Sequence, residues 1–174
     1  MSLIPINIVI GNIIIKDINY EELSQIHILL NESNETSDIL GKEDNFELDE
    51  IKERFLESLS SVSDFFLGIY LNENIIGIIK GRFENRSCTE VWFLTYMLSK
   101  DYRGRGVGSK ILNNLENWFK DNYCICKFCV LSYEESTKSI NFWNKNGYEF
   151  LRKTKIKHSV KSGAVIILEK KESM

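Results

Sequence analysis

Leu98-Ser-Lys-Asp-Tyr-Arg-Gly-Arg-Gly-Val-Gly-Ser-Lys110 is the stretch that decides the reading of this chain. Before it, Glu90 to Leu98 is dense in apolar and aromatic residues and reads as a strand. After it, Val107, Ile111, Leu112, Leu115, Trp118 and Phe119 recur at helical spacing. Gly104, Gly106 and Gly108 occupy the point where strand gives way to helix. A glycine there lets backbone approach a ligand with no Cβ in the way. The unpaired N–H groups of the first helical turn, at the positive end of the helix dipole, make an anion site. Arg103 and Arg105 add positive charge, so the chemistry written here is pyrophosphate binding.

Spacing separates the loops that perform such chemistry. A G-x-x-x-x-G-K-[ST] phosphate loop fails, because Ser109 precedes Lys110 and Ile111 follows it. The dinucleotide pattern G-x-G-x-x-G, counted from Gly104, fails at Ser109. R-x-x-G-x-G fits, as Arg103-Gly-Arg-Gly106-Val-Gly108. In that form the chain resembles the GNAT superfamily of N-acetyltransferases, whose loop of this pattern cradles the pyrophosphate of acetyl-CoA. Taken alone, the hexapeptide also fits a glycine-rich turn with solvated arginines.

The rest of the chain gives the order β-α-α-β-β-β-α-β-α-β-β. Asn12–Ile18 reads as a first strand, with Asn7–Ile10 as a partner across Gly11-Asn12. Asn19 caps a helix that turns Leu23, Ile26, Leu29 and Leu30 to one side. Leu48 to Leu59 carries Ile51, Phe55 and Leu59 at helical spacing. Phe65–Leu71 and Ile75–Phe83 form a hairpin about Asn72-Glu-Asn74, and Glu90–Leu98 completes the meander. Cys124–Leu131 follows the glycine helix as a strand. A helix from Ser136 ends at Asn146-Gly147, and Tyr148–Lys157 and Val165–Lys170 are the last strands, joined by a turn at Lys161-Ser-Gly163. This is an α+β arrangement with one central, mixed, mostly antiparallel sheet, and the GNAT fold has the same order. The chain reads as a single domain over residues 1–174, with a core of about 13–170.

Composition narrows the partners. With 174 residues, 43% hydrophobic content and one proline, a sizeable core is expected rather than disorder. Net charge is −3, which offers no general attraction to nucleic acid or an anionic membrane. The apolar N-terminus is interrupted by Asn7, Gly11, Asn12, Lys16 and Asp17, and fits neither a signal peptide nor a membrane span. Cys124, Cys126 and Cys129 fall in or beside one strand, and His27 and His158 are the only histidines. That spacing reads as reduced strand cysteines of a cytoplasmic protein rather than as a metal site.

Other stretches extend the resemblance. Phe65–Phe83 looks like the family's hairpin, Leu98-Ser-Lys-Asp-Tyr-Arg resembles its Val-x-Pro-Glu-Tyr-Arg, and Ser139-Ile-Asn-Phe-Trp-Asn-Lys-Asn-Gly-Tyr148 resembles A-x-x-x-Y-x-K-x-G-F. The resemblance implies an acetyl-CoA-dependent enzyme in which an amine attacks the thioester directly, and homodimers are common among its members. It implies that backbone at Met97 and Leu98 pairs with the pantetheine arm. The amides of Arg103, Gly104, Arg105, Gly106, Val107, Gly108 and Ser109 would hold the pyrophosphate.

The same resemblance leaves the chemistry less defined. The family's frequent tyrosine acid falls at Trp143, which cannot serve as a proton donor in the same way and reads as cofactor wall or core. A position often held by Asn falls at or near Ser136. Tyr133 is the substitute acid, ahead of Tyr96 and Tyr102. Glu90 is the best carboxylate base, since period-two alternation sets it on one face with Trp92, Leu94 and Tyr96; a solvated strand-end glutamate fits as well. Glu134 and Glu135 stand near the same cleft, His158 reads as surface, and water relays are a further route for the proton.

The acceptor side would be walled by residues 21 to 59. Residues 31 to 57 hold ten Asp/Glu against Lys42, Lys52 and Arg54, a balance of −7. That charge suits a cationic amine, and equally a solvated acidic helix face. Phe46 and Phe55 fit pocket or core. Two rivals share the scaffold: transfer of a different acyl group, and a non-catalytic acyl-CoA sensor.

Overall fold

The computed structural model describes residues 5–32, 45–155 and 164–172. Gly11, in left-handed backbone at φ 61°, turns β1 (Asn7–Ile10) back onto β2 (Ile13–Asp17). The Glu22 carboxylate accepts the Asn19 N–H at 2.8 Å and leads into α1 (Leu23–Leu30). α2 (Leu48–Ser60) buries Ile51, Phe55 and Ser58. Leu59, expected inside, is 44% exposed, because Ser58 takes the third inward position and donates to the Phe55 carbonyl at 2.6 Å.

The meander is β3 (Asp64–Leu71), β4 (Asn74–Asn85) and β5 (Thr89–Leu98). Asn72 and Glu73, both at positive φ, make its first turn. Then come α3 (Val107–Asn122), β6 (Ile125–Tyr133), α4 (Thr137–Lys145), β7 (Glu149–Thr154) and β8 (Val165–Lys171). The eight strands form one sheet in the order β1-β2-β3-β4-β5-β6-β8-β7, antiparallel throughout except for the β5–β6 pair. The expected order therefore holds, with β1 as an additional edge strand. His158 and the turn at Lys161-Ser-Gly163 lie outside the described residues.

Each face of the sheet is covered by its own helices. α3 and α4 pack on one face over Phe65, Ile79, Phe93, Phe128 and Ile166, with Phe119 of α3 in edge contact with Phe83 at 5.3 Å. α1 and α2 pack on the other over Phe66, Ile78 and Met97. Alternation along β5 assigns its residues to the two faces, but not without interruption. Lys80 pairs with Thr95 and Gly81 with Phe93, so Leu94 is a bulge residue. Trp92 and Leu94 share one face, whereas Tyr96 stacks on Phe142 of α4 at 5.6 Å on the other. The expected face of Glu90, Trp92, Leu94 and Tyr96 is corrected accordingly: the extra residue reverses the alternation before Tyr96.

One polar cluster sits inside the helical layer. Glu116 of α3, 1% exposed, accepts the Tyr148 hydroxyl at 2.6 Å and pairs with Lys170 Nζ at 2.6 Å. Burial, then Glu116, holds the Tyr148 hydroxyl far above its usual pKa. This network ties α3 to both C-terminal strands. Glu116→Ala strands a buried hydroxyl and a partly buried ammonium, and should cost about 3 kcal/mol in urea unfolding. A loss below about 1 kcal/mol would mean that the network contributes little.

The cysteines differ from the reduced set expected. Cys88, in the β4–β5 turn, is disulfide-bonded to Cys126 of β6 with Cα atoms 6.0 Å apart, leaving Cys124 exposed and Cys129 buried as thiols. The pairing joins residues 38 apart, so neither proximity in sequence nor a motif announced it. With it goes the cysteine argument for a cytoplasmic setting, since disulfides are rare there. Denatured, unreduced protein should titrate two thiols rather than four. Cys88→Ser with Cys126→Ser should lower stability by up to about 4 kcal/mol, the chain-entropy value for a loop of this length.

Candidate functional site

β5 and β6 pair in parallel from Thr89 with Ile125 to Phe93 with Val130, and then part. β5 continues to Leu98 and β6 to Tyr133, leaving a V-shaped cleft open to solvent. Leu94, Thr95 and Tyr96 line one side, Leu131 and Ser132 the other, with Ser139 and Trp143 of α4 beneath. Ser132 and Ser139 hydroxyls meet at 3.2 Å. No sequence pattern had marked Ser132, and Ser139 was noted only as the first residue of the C-terminal signature. The only signal was polar residues at the end of an apolar strand and one helical turn into the next element.

The edge of β5 that faces the cleft can be assigned. Ser99 N–H donates to the Ile76 carbonyl of β4 at 2.7 Å. Strand alternation then turns the peptide groups of Ser99 and Met97 toward β4, and those of Leu98 and Tyr96 toward the cleft. This corrects the expected pairing edge of Met97 and Leu98, since Met97 is turned inward. The Leu98 carbonyl accepts from Arg103 Nε at 2.7 Å, so that side chain braces the strand end.

The glycine loop stands at the mouth of the cleft. Gly104 and Gly106 adopt φ of 73° and 77°, and Gly106 is the residue that caps α3. Around both, the position of a Cβ is empty, so backbone conformation rather than crowding demands glycine there. Gly108 differs, since a Cβ would come within 3.2 Å of the Phe142 ring. The Tyr96 hydroxyl donates to the Gly108 carbonyl at 2.7 Å and ties loop to strand. Val107 and Ser109 of the first turn are half-buried, while Arg105 and Lys110 are exposed without an ion pair among the described residues. The N-terminus of α3 therefore presents free amides and two cations beside the cleft.

The candidate catalytic residues are not gathered at the cleft. Glu90 is 4% exposed and held by Lys127 at 3.1 Å and Trp92 Nε1 at 3.0 Å. It lies three residues before the strands part, about 10 Å along β5. Neither the solvated glutamate nor a free base describes it. Partial burial works against the Lys127 charge, yet the Glu90 hydrogen bond and the nearby carboxylates leave its pKa raised. Burial pushes the neighbouring Cys129 thiol up to about 12, which makes it inert.

Tyr133 is half-buried at the end of β6, one residue past the cleft wall, and alternation turns it away from Ser132. The Tyr96 hydroxyl is raised far above its ordinary pKa by burial and committed to Gly108. Tyr102 packs against the core. Trp143 is 4% exposed, stacked on Phe93 at 6.0 Å and edge-on to Tyr148 at 4.8 Å in the core, and it reaches the cleft floor as well. Ser136 precedes α4 without a side-chain cap bond. Exposed Glu134 pairs with Lys153, and Glu135 is exposed.

Residues 15–165 match the family model described as an acetyltransferase (GNAT) domain. No curated protein matches the sequence at a significant level. Solved structures share the fold at low identity. An acetyltransferase of Salmonella typhimurium that modifies the N-terminal serine of 50S ribosomal subunit protein L7/L12 superposes with a TM-score of 0.80 at 12% identity, over 94% of this chain and 97% of that one. Naa50 of Arabidopsis thaliana, solved with the bisubstrate analogue CoA-Ac-MVNAL, gives 0.68 at 16% identity, over 92% and 99%. The PaiA N-acetyltransferase of Thermoplasma acidophilum, solved with coenzyme A, gives 0.65 at 18%, over 92% and 99%.

Glu90→Gln should lower stability by about 1–2 kcal/mol in urea unfolding, since a charged partner is lost but Glu169 remains 3.6 Å from Lys127. A stability equal to that of the unaltered protein would mean the ion pair is dispensable and would reopen a role for Glu90 in the chemistry.

Proposed function

The chain belongs to the GNAT family of acetyltransferases, with acetyl-CoA as cosubstrate, and from that premise we propose that it moves the acetyl group directly to a primary amine of a small molecule or peptide in a ternary complex. The observation that carries this reading is the parting of β5 and β6 beside the glycine-capped start of α3. A thioester and an amine can meet in that opening, with the anion site one helical turn away.

The cofactor's parts map onto consecutive features. The amides from Arg103 to Ser109 take the pyrophosphate, with Arg105 and Lys110 adding charge. The open peptide edge at Tyr96 and Leu98 pairs with the pantetheine arm as an added strand would. Trp143 supports the thioester end from below, and Ser136 lies at the near end of α4.

Three demands remain for the chemistry. The amine must lose a proton, the tetrahedral oxyanion needs a donor, and the thiolate benefits from an acid. The Leu94 bulge leaves backbone outside the β4 ladder at the cleft, a donor of the required kind. Glu90 is engaged elsewhere, so the amine's proton leaves through water. Tyr133 at the cleft's outer end is the acid to test.

Acetyl-CoA added to the protein with pooled primary amines and peptide N-termini should release free thiol with at least one pool. Gly106→Ala forces a side chain into left-handed backbone, at about 1 kcal/mol. It should weaken acetyl-CoA binding several-fold in calorimetry. Tyr133→Phe should reduce kcat with little change in acetyl-CoA affinity. Acetyl-CoA binding without thiol release from any pool would favour the sensor reading; absence of binding would overturn the cofactor assignment.

A further inference from the structure

A second cavity, open to solvent, lies on the opposite face of β4 and β5 from α3, under α1 and α2. Phe46, Phe66 and Ile78 make its walls apolar, and its two side-chain cations are Lys80 and Arg54. Thr95 lines both this cavity and the β5–β6 cleft, so the two adjoin at the bulge. Lys80 is the register partner of Thr95. An acceptor whose amine reaches the thioester past Thr95 would keep its body in this cavity.

The charges there are opposite to those of the acidic segment. Asp49 pairs with Lys52 at 2.8 Å, Glu50 with Arg54 at 2.8 Å, and Glu32 accepts from Ser99 Oγ at 3.0 Å. Those three carboxylates are thus engaged with groups of the protein itself. Lys80 is half-buried, with no carboxylate among the described residues within ion-pair distance; Asp64 and Glu57 act on it only from farther away. Its polar contact is the Arg54 carbonyl at 3.5 Å, and its Nζ stands 6.0 Å above the Phe66 ring. Arg54 keeps its guanidinium near the Phe46 ring at 5.7 Å, toward the rim. Burial, then the Arg54 charge, lowers the Lys80 pKa against the opposing pull of Asp64 and Glu57. A buried unpaired charge is costly, and an incoming anion relieves it.

We propose that this cavity is the acceptor pocket and that it selects amines bearing an apolar body and a carboxylate, with Lys80 as the residue that binds the carboxylate. The inference rests on the acetyl-transfer reading above and adds the class of acceptor to it. A charge-assisted contact to a partly buried ammonium favours the carboxylate over the neutral amide by about tenfold or more.

The test uses apolar α-amino acids and dipeptides, each as free carboxylate and as carboxamide, in the thiol-release assay. The carboxylates should show about tenfold or higher kcat/KM than the amides. Lys80→Met should collapse that ratio toward one through KM, Lys80→Arg should retain most of it, and acetyl-CoA affinity should stay constant in both. Equal use of the two forms, or an undiminished ratio in Lys80→Met, overturns the proposal. So does thiol release with polyamines alone, which leaves acetyl transfer intact. If no amine at all releases thiol, the transfer reading fails by itself. The pocket is then judged by calorimetry with N-acetyl-phenylalanine and its amide in the presence of CoA. Preferential, Lys80-dependent binding of the acid supports the pocket, and equal binding or none rejects it.

Discussion

β5 keeps its antiparallel partner β4 from Thr89 to Leu98, but its parallel partner β6 only as far as Phe93. A strand bonded on one edge and released on the other leaves a row of N–H and C=O groups that nothing in the sheet satisfies. Such groups need a partner, and an extended, amide-bearing ligand is one. The bulge at Leu94 falls where β6 is released. It bends the strand and puts Thr95 and Tyr96 on opposite faces in a new phase. Tyr96 consequently reaches α4 and Gly108, while Thr95 opens toward Lys80. The cleft, the position of the glycine loop and the second cavity all follow from this one departure from regular pairing.

The buried polar groups hold that geometry in place. Glu116 fastens α3 to Tyr148 and Lys170 from behind, while Tyr96 fastens its first turn from the front. A helix gripped at both points presents its amides at a constant place. On the other face, Glu90 and Lys127 link β5 to β6 below the fork, and the Cys88–Cys126 bond joins the same two strands lower still. The pair is reinforced where it must stay closed and free of such links where it opens. Charges follow the same division: exposed cations beside the α3 N-terminus, and the Lys80 ammonium, with no ion pair among the described residues, in the cavity beneath α1 and α2.

The local code was legible because it depends on neighbours in sequence. Helical spacing marked α3, Asn146-Gly147 marked the end of α4, and polar turns marked the meander. The three glycines marked the turn from β5 into α3, where Gly104 and Gly106 adopt positive φ. Leu59 misled because apolar spacing allows two choices for the third inward position, and packing selected Ser58. Glu90 misled for another reason: a carboxylate in a strand looks the same whether it faces water or a lysine on the neighbouring strand, 37 residues on in sequence.

By itself, then, the sequence determined the elements, their order and the glycine turn into α3, since turn residues, apolar period and glycine placement act over a few residues. Only the tertiary structure decided which edge of β5 is open, since a single bulge residue shifts the phase of alternation without altering composition. It alone paired Cys88 with Cys126, engaged Glu90 with Lys127, and set Lys80 in an apolar cavity with no ion pair among the described residues. Those outcomes depend on distances between residues far apart in the chain, and such distances exist only once the sheet has closed around its helices.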